Sequence, residues 1–134
     1  MLLFFLLFVF VAKSSFANLA YITNEKDNTV SVIDIKKNKV IKTVEVGQRP
    51  RGIIMSKDGK LVLICASDDD RVEVREAKTL KLKYYLPSGP DPELFILSPD
   101  NETLYIANVD DAMVTVVDMN DKMIIDDIPV GVEP

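Results

Sequence analysis

VGQRP (46–50), SGPDP (88–92) and VGVEP (130–134) are one phrase written three times, each copy 42 residues after the last. The glycine and the closing proline keep their places throughout: Gly47, Gly89 and Gly131, then Pro50, Pro92 and Pro134. A fixed period of this length signals stacked structural units and takes precedence over any local motif. Working outward, Tyr21, Leu63 and Tyr105 open YITN, LICA and YIAN, and Asp27, Asp69 and Asp111 follow in phase. Val30, Val72 and Val114 come next, then Val32, Val74 and Val116, while Ser56 and Asp58 return as Ser98 and Asp100. No insertion or deletion breaks the phase, so each copy must be built the same way.

Within one period the pattern is that of strands. KLVLICA (60–66) is apolar on both faces, as a strand covered from two sides must be, whereas RVEVRE (71–76) and TLKLKYYL (79–86) alternate, which predicts one dry and one wet face. GIIMS (52–56) and LFILS (94–98) are short apolar runs closed by the turn sequences KDGK and PDNE. A second turn is marked by KDNTV, DDDRV and DDAMV. No stretch sustains a 3.6-residue period, so no helix is expected past the N-terminal segment. Four strands in about 40 to 45 residues make the blade of a β-propeller. The innermost strands are predicted at 51–56 and 93–98, the second at 61–66 and 103–108, the third at 71–76 and 113–118, and the outermost at 80–86 and 123–128. The repeated phrase then crosses from the rim of one blade to the axis of the next, with glycine allowing an open turn and proline fixing φ at a strand start. The expected organisation is all-β. Blade 1 spans 18–50 without its inner strand, blade 2 spans 51–92 and blade 3 spans 93–134, about two and three-quarter blades in all.

Ahead of the repeats, MLLFFLLFVFVA (1–12) is an apolar run followed by Lys13 and SSFA, with Ser15 and Ala17 where signal peptidase reads small residues. Twelve apolar residues fall short of the roughly 20 that cross a bilayer. Residues 1–17 are therefore expected to be a cleaved signal peptide and the product periplasmic or secreted, with no stable membrane span. The chain holds 16 basic and 21 acidic residues with no large basic cluster, which argues against nucleic acid as a partner. Cys65 is the single cysteine, so no intramolecular disulfide contributes to stability.

The phrases AYITN, NTVSVID, VGQRPRGI, SKDGK and LYIAN resemble the YVTN-type propeller repeats of secreted bacterial and archaeal proteins. Within that family, TNEKDNTVSVID, LPSGPDPELF and VGVEP are most similar to the propeller proteins associated with PQQ-dependent catabolism. The resemblance covers 18–134. It implies a periplasmic propeller of about seven blades, working beside quinoprotein alcohol dehydrogenases and c-type cytochromes as a non-catalytic binding or scaffold component. Two other functions compete with it. One is a sector of a cofactor-bearing propeller oxidoreductase of haem d1 or amine-dehydrogenase type, with its cofactor groups elsewhere; the other is a cell-surface adhesion propeller.

The chain contains no histidine, which removes imidazole acid–base catalysis, Ser-His-Asp chemistry and the usual zinc sites. A CxxCH haem attachment is absent, and with no tryptophan and one cysteine the chain lacks the groups by which quinoproteins hold PQQ, so no cofactor is expected in it. Groups present in every copy are expected to hold the blade together. Asp27, Asp69 and Asp111 therefore read as turn-formers accepting local backbone hydrogen bonds, SDDD (67–70) as a solvated turn, and Cys65 as a small core residue. What changes between copies is the loop at the channel mouth, where Arg49 and Arg51 stand in phase with Asp91, Glu93 and Glu133. These five either pair between blades or form a polar ring at which an anionic ligand or a partner protein docks. Residues 18–134 produced alone are expected to self-associate or stay partly molten, because blades bury their faces only against neighbours. A cooperative, monomeric melt by calorimetry and light scattering would contradict this.

Overall fold

The structure is a computed structural model and describes residues 18–134. The expected signal peptide, residues 1–17, lies outside the described residues. Three antiparallel sheets follow one another along the chain. The first holds β1 (Leu19–Asn24), β2 (Thr29–Asp34) and β3 (Lys39–Glu45). The second holds β4 (Pro50–Met55), β5 (Leu61–Ala66), β6 (Arg71–Glu76) and β7 (Leu82–Pro87). The third holds β8 (Pro92–Leu97), β9 (Thr103–Asn108), β10 (Met113–Asp118) and β11 (Met123–Pro129). Strand order in each sheet is chain order, every pair is antiparallel, and the inner strand β4 lies against both β8, the inner strand of the third sheet, and β1, the second-strand equivalent that edges the first sheet. The chain is a partial β-propeller of four-stranded blades with a three-stranded first blade.

Strand positions match the predicted ones to within two residues. Pro50 and Pro92 open β4 and β8, where a missing N–H costs no ladder bond. From Leu19 onward, helical structure is confined, among the described residues, to a 3-10 turn at Ser67–Asp69. The period is written into the backbone as well. Left-handed residues recur as Asn28, Asp70 and Ala112, as Asn38, Leu80 and Lys122, and as Arg49, Asp91 and Glu133. A ladder irregularity recurs after Val32, Val74 and Val116, adding the local twist that lets blades splay around an axis.

The core lies between sheets. Val62 and Ile64 of β5 face the first sheet with Val30, Val32, Ala77 and Leu80, while Leu63 and Cys65 face the third with Val72, Val74, Leu86, Leu104, Ile106 and Val117. Each such aliphatic side chain contributes about 1.5–3 kcal/mol on burial, so a few of them outweigh all the exposed ion pairs described below. One expected wet face is dry. Glu73 and Arg75 of RVEVRE are 2% and 8% exposed, because the first sheet covers that face of β6. They survive burial by satisfying each other: Arg75 Nε donates to Glu73 Oε2 at 2.7 Å, and Nη1 donates to the Leu80 carbonyl at 2.9 Å.

The repeated glycine also differs in role from the expected open turn. The left-handed residue of the crossing is two positions later, at Arg49, Asp91 and Glu133. Gly47 and Gly89 are needed because the next blade arrives there. A Cβ on Gly47 would stand 2.5 Å from Ala66 Cβ and 2.7 Å from Asp69 Oδ2; one on Gly89 would stand 2.6 Å from Asn108 Nδ2. Gly131 has nothing within 4 Å. Gly47→Ala and Gly89→Ala are therefore expected to cost about 1–3 kcal/mol by overpacking, and Gly131→Ala under about 0.5 kcal/mol as a surface change. Urea denaturation of the three variants checks this, and equal losses at all three would remove the close-approach explanation.

Candidate functional site at the channel mouth

The turns after β1, β5 and β9 and the crossings into β4 and β8 share one end of the molecule. Arg49 leaves the first crossing between two blades. Its Nη2 pairs with Asp91 Oδ1, and its Nε lies 2.7 Å from Asp68 Oδ1 as an ion pair not aligned as a hydrogen bond. Arg51, on β4, reaches Glu93 Oε2 at 3.1 Å and Glu25 Oε1 at 3.4 Å. Arg49, Arg51, Asp91 and Glu93 are thus brought together as two pairs across neighbouring blades. Glu133 is not joined to them; it is exposed at the far end of the third sheet. The hydrogen-bonded Asp91 carboxylate pushes the Arg49 guanidinium pKa up. These pairs are partly exposed, worth about 0–1 kcal/mol each, so they set register more than stability.

SDDD is a clasp between blades rather than a solvated turn. Ser67 Oγ donates to the Pro92 carbonyl at 2.5 Å, Asp68 pairs with Arg49, Asp69 Oδ2 accepts from Gln48 N at 2.9 Å, and Asp70 Oδ1 accepts from Asp91 N at 3.0 Å. Asp69 also pairs with Arg71 Nη2 at 3.0 Å, and the Arg71 guanidinium lies over the Tyr85 ring. The three in-phase aspartates therefore diverge. Asp111 keeps the expected local bond, from Met113 N at 3.2 Å, whereas Asp69 holds a crossing loop 21 residues away. For Asp27 the turn is closed by its backbone N–H, which donates to the Asn24 carbonyl.

Residues that the sequence reading passed over stand one place later. Asn28 Oδ1 accepts from Arg49 N at 2.8 Å just as Asp70 accepts from Asp91 N, so both cap the left-handed residue of a crossing. The third copy has Ala112 at this position and no acceptor to offer. The signal was present as Asn and Asp beside a phased aspartate, but its partner is a backbone N–H half a period away. At the second-strand ends, Asn24 donates to Thr29 and Ser31, and Asn108 donates to Thr115, which donates on to Asp127. The middle copy replaces this pair with Ala66 and Glu73. Asn108 Oδ1 is buried without a partner among the described residues.

At the opposite end, Ser56 Oγ donates to Asp58 at 2.7 Å and Ser98 Oγ to Asp100 at 2.5 Å, while the N–H of Lys60 and of Glu102 donates to the same carboxylates. The serine bond leads in holding both carboxyls below the ordinary range. Cys65 is buried, and burial pushes its thiol pKa up, away from nucleophilic use. Among the described residues no group of three His, Cys, Asp or Glu side chains is placed to hold a metal ion. No helix there is long and apolar enough to cross a membrane.

The model of the Cytochrome D1 heme domain matches residues 8–93. The chain belongs to the cytochrome D1 haem domain family. Two solved structures share the fold of this D1-family chain. Kuenenia stuttgartiensis hydrazine synthase superposes with a TM-score of 0.79 at 22% identity, over 87% of this chain and 34% of its own. Dihydro-heme d1 dehydrogenase NirN in complex with DHE gives 0.71 at 20% identity, over 90% and 26%. The chain thus spans about a third and a quarter of these two proteins. No curated protein matches it.

A haem bearing ionised carboxylates is poorly matched by the mouth described above. Its two guanidiniums already lie between four carboxylates, Glu25, Asp68, Asp91 and Glu93, and no histidine is available to ligate iron. The hollow beside them, about 380 Å³ and lined by Glu25, Lys26, Asn28, Gln48, Arg49 and Asp68, carries the same mixed charge.

Two outcomes follow from this geometry. Asn28→Ala and Asp70→Ala should each cost about 1 kcal/mol, the net worth of the bond lost by a solvent-exposed crossing N–H, whereas Arg51→Gln should cost under about 1 kcal/mol; chemical denaturation ranks them. The depressed carboxyls of Asp58 and Asp100 contribute stability that is present above their unfolded pKa and lost as pH falls through the folded one. Stability should therefore decline as the medium is acidified through the carboxylate range, less steeply in the Ser56→Ala/Ser98→Ala double variant. Parallel acid profiles for the double variant and the parent would contradict the assignment.

Proposed function

We propose that this chain is a scaffold sector of an exported haem d1-type propeller, non-catalytic in itself, with the groups that hold the macrocycle and carry out its chemistry supplied from outside these residues. The observation that carries the reading is the D1 haem domain match over 8–93. The structural likeness to a protein solved with DHE adds the fold. When bound, a d1-type haem supplies redox chemistry; these residues supply the wall and one mouth of the channel. The clasp formed by Ser67, Asp68, Asp69 and Asp70 keeps adjacent blades in register around that channel. Export to the periplasm is part of the proposal and is supported by the small residues after the apolar N-terminal run. An accessory role in PQQ-linked alcohol oxidation, with quinoprotein and cytochrome c partners, is supported by the repeat phrases alone and ranks second.

Made at the length of its natural polypeptide in a host that synthesises haem d1, the protein should copurify with a d1-type chromophore. This chain titrated with hemin should give no saturable Soret shift, and Arg49→Gln and Arg51→Gln should leave the absorbance of the copurified preparation unchanged. A colourless protein that instead co-elutes with a quinoprotein dehydrogenase would overturn the haem reading in favour of the PQQ one.

A further inference from the structure

The end of the molecule opposite the mouth is electrically divided. In the first sheet the turn between β2 and β3 sets Lys36, Lys37 and Lys39 against Asp34. In the second sheet the turns 56–60 and 76–81 set Lys57, Lys60, Lys78 and Lys81 against Asp58 and Glu76. The corresponding turns of the third sheet, 98–102 and 118–122, carry Asp100, Glu102, Asp118 and Asp121 against Lys122. The change is position by position: Lys60 is in phase with Glu102, Lys78 with Asn120, Thr79 with Asp121 and Lys81 with Met123. The backbone of these turns does not change. Ala77 N–H donates to the Lys60 carbonyl at 2.8 Å and Met119 N–H to the Glu102 carbonyl at 2.9 Å, and Ser56 and Ser98 hold Asp58 and Asp100 alike. The blade therefore folds the same way with either sign. Among the described residues, Lys78, Lys81 and every acidic side chain beyond Glu93 have no ion-pair partner.

We infer that this end is the docking surface for a second copy of the chain, the two meeting face to face about a two-fold axis along the seam between the second and third sheets. A face with one basic and one acidic half is complementary to itself under that rotation. The Lys60, Lys78 and Lys81 side of each copy then lies over the Glu102 and Asp121 side of the other. Setting either half on its own copy opposes like charges, which disfavours that registration. The seam fixes the two halves relative to each other, because Lys57 Nζ donates across it to the Pro99 carbonyl at 3.0 Å and Lys57 N to Asn101 Oδ1 at 3.3 Å. The basic half also has room for a projecting acidic turn: a hollow of about 530 Å³ lies between Lys60, Lys78 and Lys83, over Gly59 and Leu61. Exposed ion pairs are individually weak and screened by salt, so the dimer is a salt-labile one. It does not depend on the haem reading, since the turns lie at the end of the sheets and away from the mouth.

Sedimentation equilibrium of the full chain and of two charge-reversed variants tests this. The parent should dimerise, and the dimer should weaken at least ~10-fold as NaCl rises from about 0.1 to about 1 M, over which the screening length falls from about 10 to about 3 Å. Lys78→Glu/Lys81→Glu makes both halves acidic and Glu102→Lys/Asp121→Lys makes both basic, so each variant alone should be monomeric. An equimolar mixture of the two should restore a dimer containing one of each, because only that pairing opposes unlike charges. A mixture that stays monomeric while both variants keep the parent's far-ultraviolet spectrum would overturn the inference, as would a parent that is monomeric at low salt. Association that persists undiminished in ~1 M NaCl would overturn it too, and would assign self-association to the exposed apolar sheet faces, whose burial salt does not screen.

Discussion

Everything in this molecule depends on one sheet closing over the next at a fixed spacing. β5 makes the constraint explicit, since Val62 and Ile64 are sealed by the sheet before it and Leu63 and Cys65 by the sheet after it. An isolated four-stranded antiparallel sheet has no such inside and gains little from folding. Burial at each interface contributes several times what the mouth ion pairs can, by the usual worth of an aliphatic side chain against an exposed pair. The crossing loop must let the next sheet come within contact distance, and this requires a residue without a Cβ at Gly47 and Gly89. The left-handed residues that follow, Arg49 and Asp91, are strained consequences of that geometry, and their N–H groups are capped by Asn28 and Asp70.

The fold was legible because self-similarity at 42 residues survives every local ambiguity. Strand positions, the strand-initiating prolines and the pairing of Arg49 with Asp91 and Arg51 with Glu93 are all relations at one full period, which alignment of the copies exposes. The clasp is a relation at half a period: Gln48 to Asp69, Arg49 to Asn28, Asp91 to Asp70. Its donors are backbone N–H groups that leave no trace in residue identity, and its acceptor position holds Asn28, then Asp70, then Ala112, which has no acceptor at all. A repeat comparison cannot find such contacts. The wet face expected for RVEVRE failed for a related reason. Alternation reports which side chains share a face, whereas the cover on that face comes from another copy, and Glu73 with Arg75 made the strand look solvated by carrying a self-contained ion pair into the core.

The mouth shows why family membership and site chemistry have to be argued separately. Membership in the D1 haem domain family rests on a match over 8–93, most of which is repeated strand, and so speaks for the fold rather than for a ligand-holding group. A macrocycle with carboxylates calls for free cationic donors and an iron ligand. Here Arg49 and Arg51 are each held between two acidic side chains, and the chain has no histidine. An anionic ligand at this mouth would have to displace an existing carboxylate to pair with Arg49 or Arg51. That favours the structural role of Arg49, Arg51, Asp91 and Glu93 over the docking role for anions.

The two interfaces are not equivalent, and the difference gives the molecule a direction. Between the second and third sheets the contact is an aliphatic cluster from Leu63 to Val117, pinned at the mouth by Ser67 on Pro92 and at the other end by the Lys57 ammonium on the Pro99 carbonyl. Between the first and second sheets the aliphatic cluster is smaller and lies beside the Asp69, Arg71, Glu73 and Arg75 side chains, with Tyr21 donating to the Ala77 carbonyl and Thr23 to that of Arg51. Glu73 and Arg75 satisfy each other within their own sheet, so opening the first sheet exposes them to water without stranding a charge. Opening the third would expose the larger aliphatic cluster, with buried Asn108 and Thr115 as the polar groups that gain water. Local opening runs along the cheapest route, which here separates the three-stranded first sheet from a second and third that stay together, and it loosens the Arg49 end of the mouth before the Glu93 end.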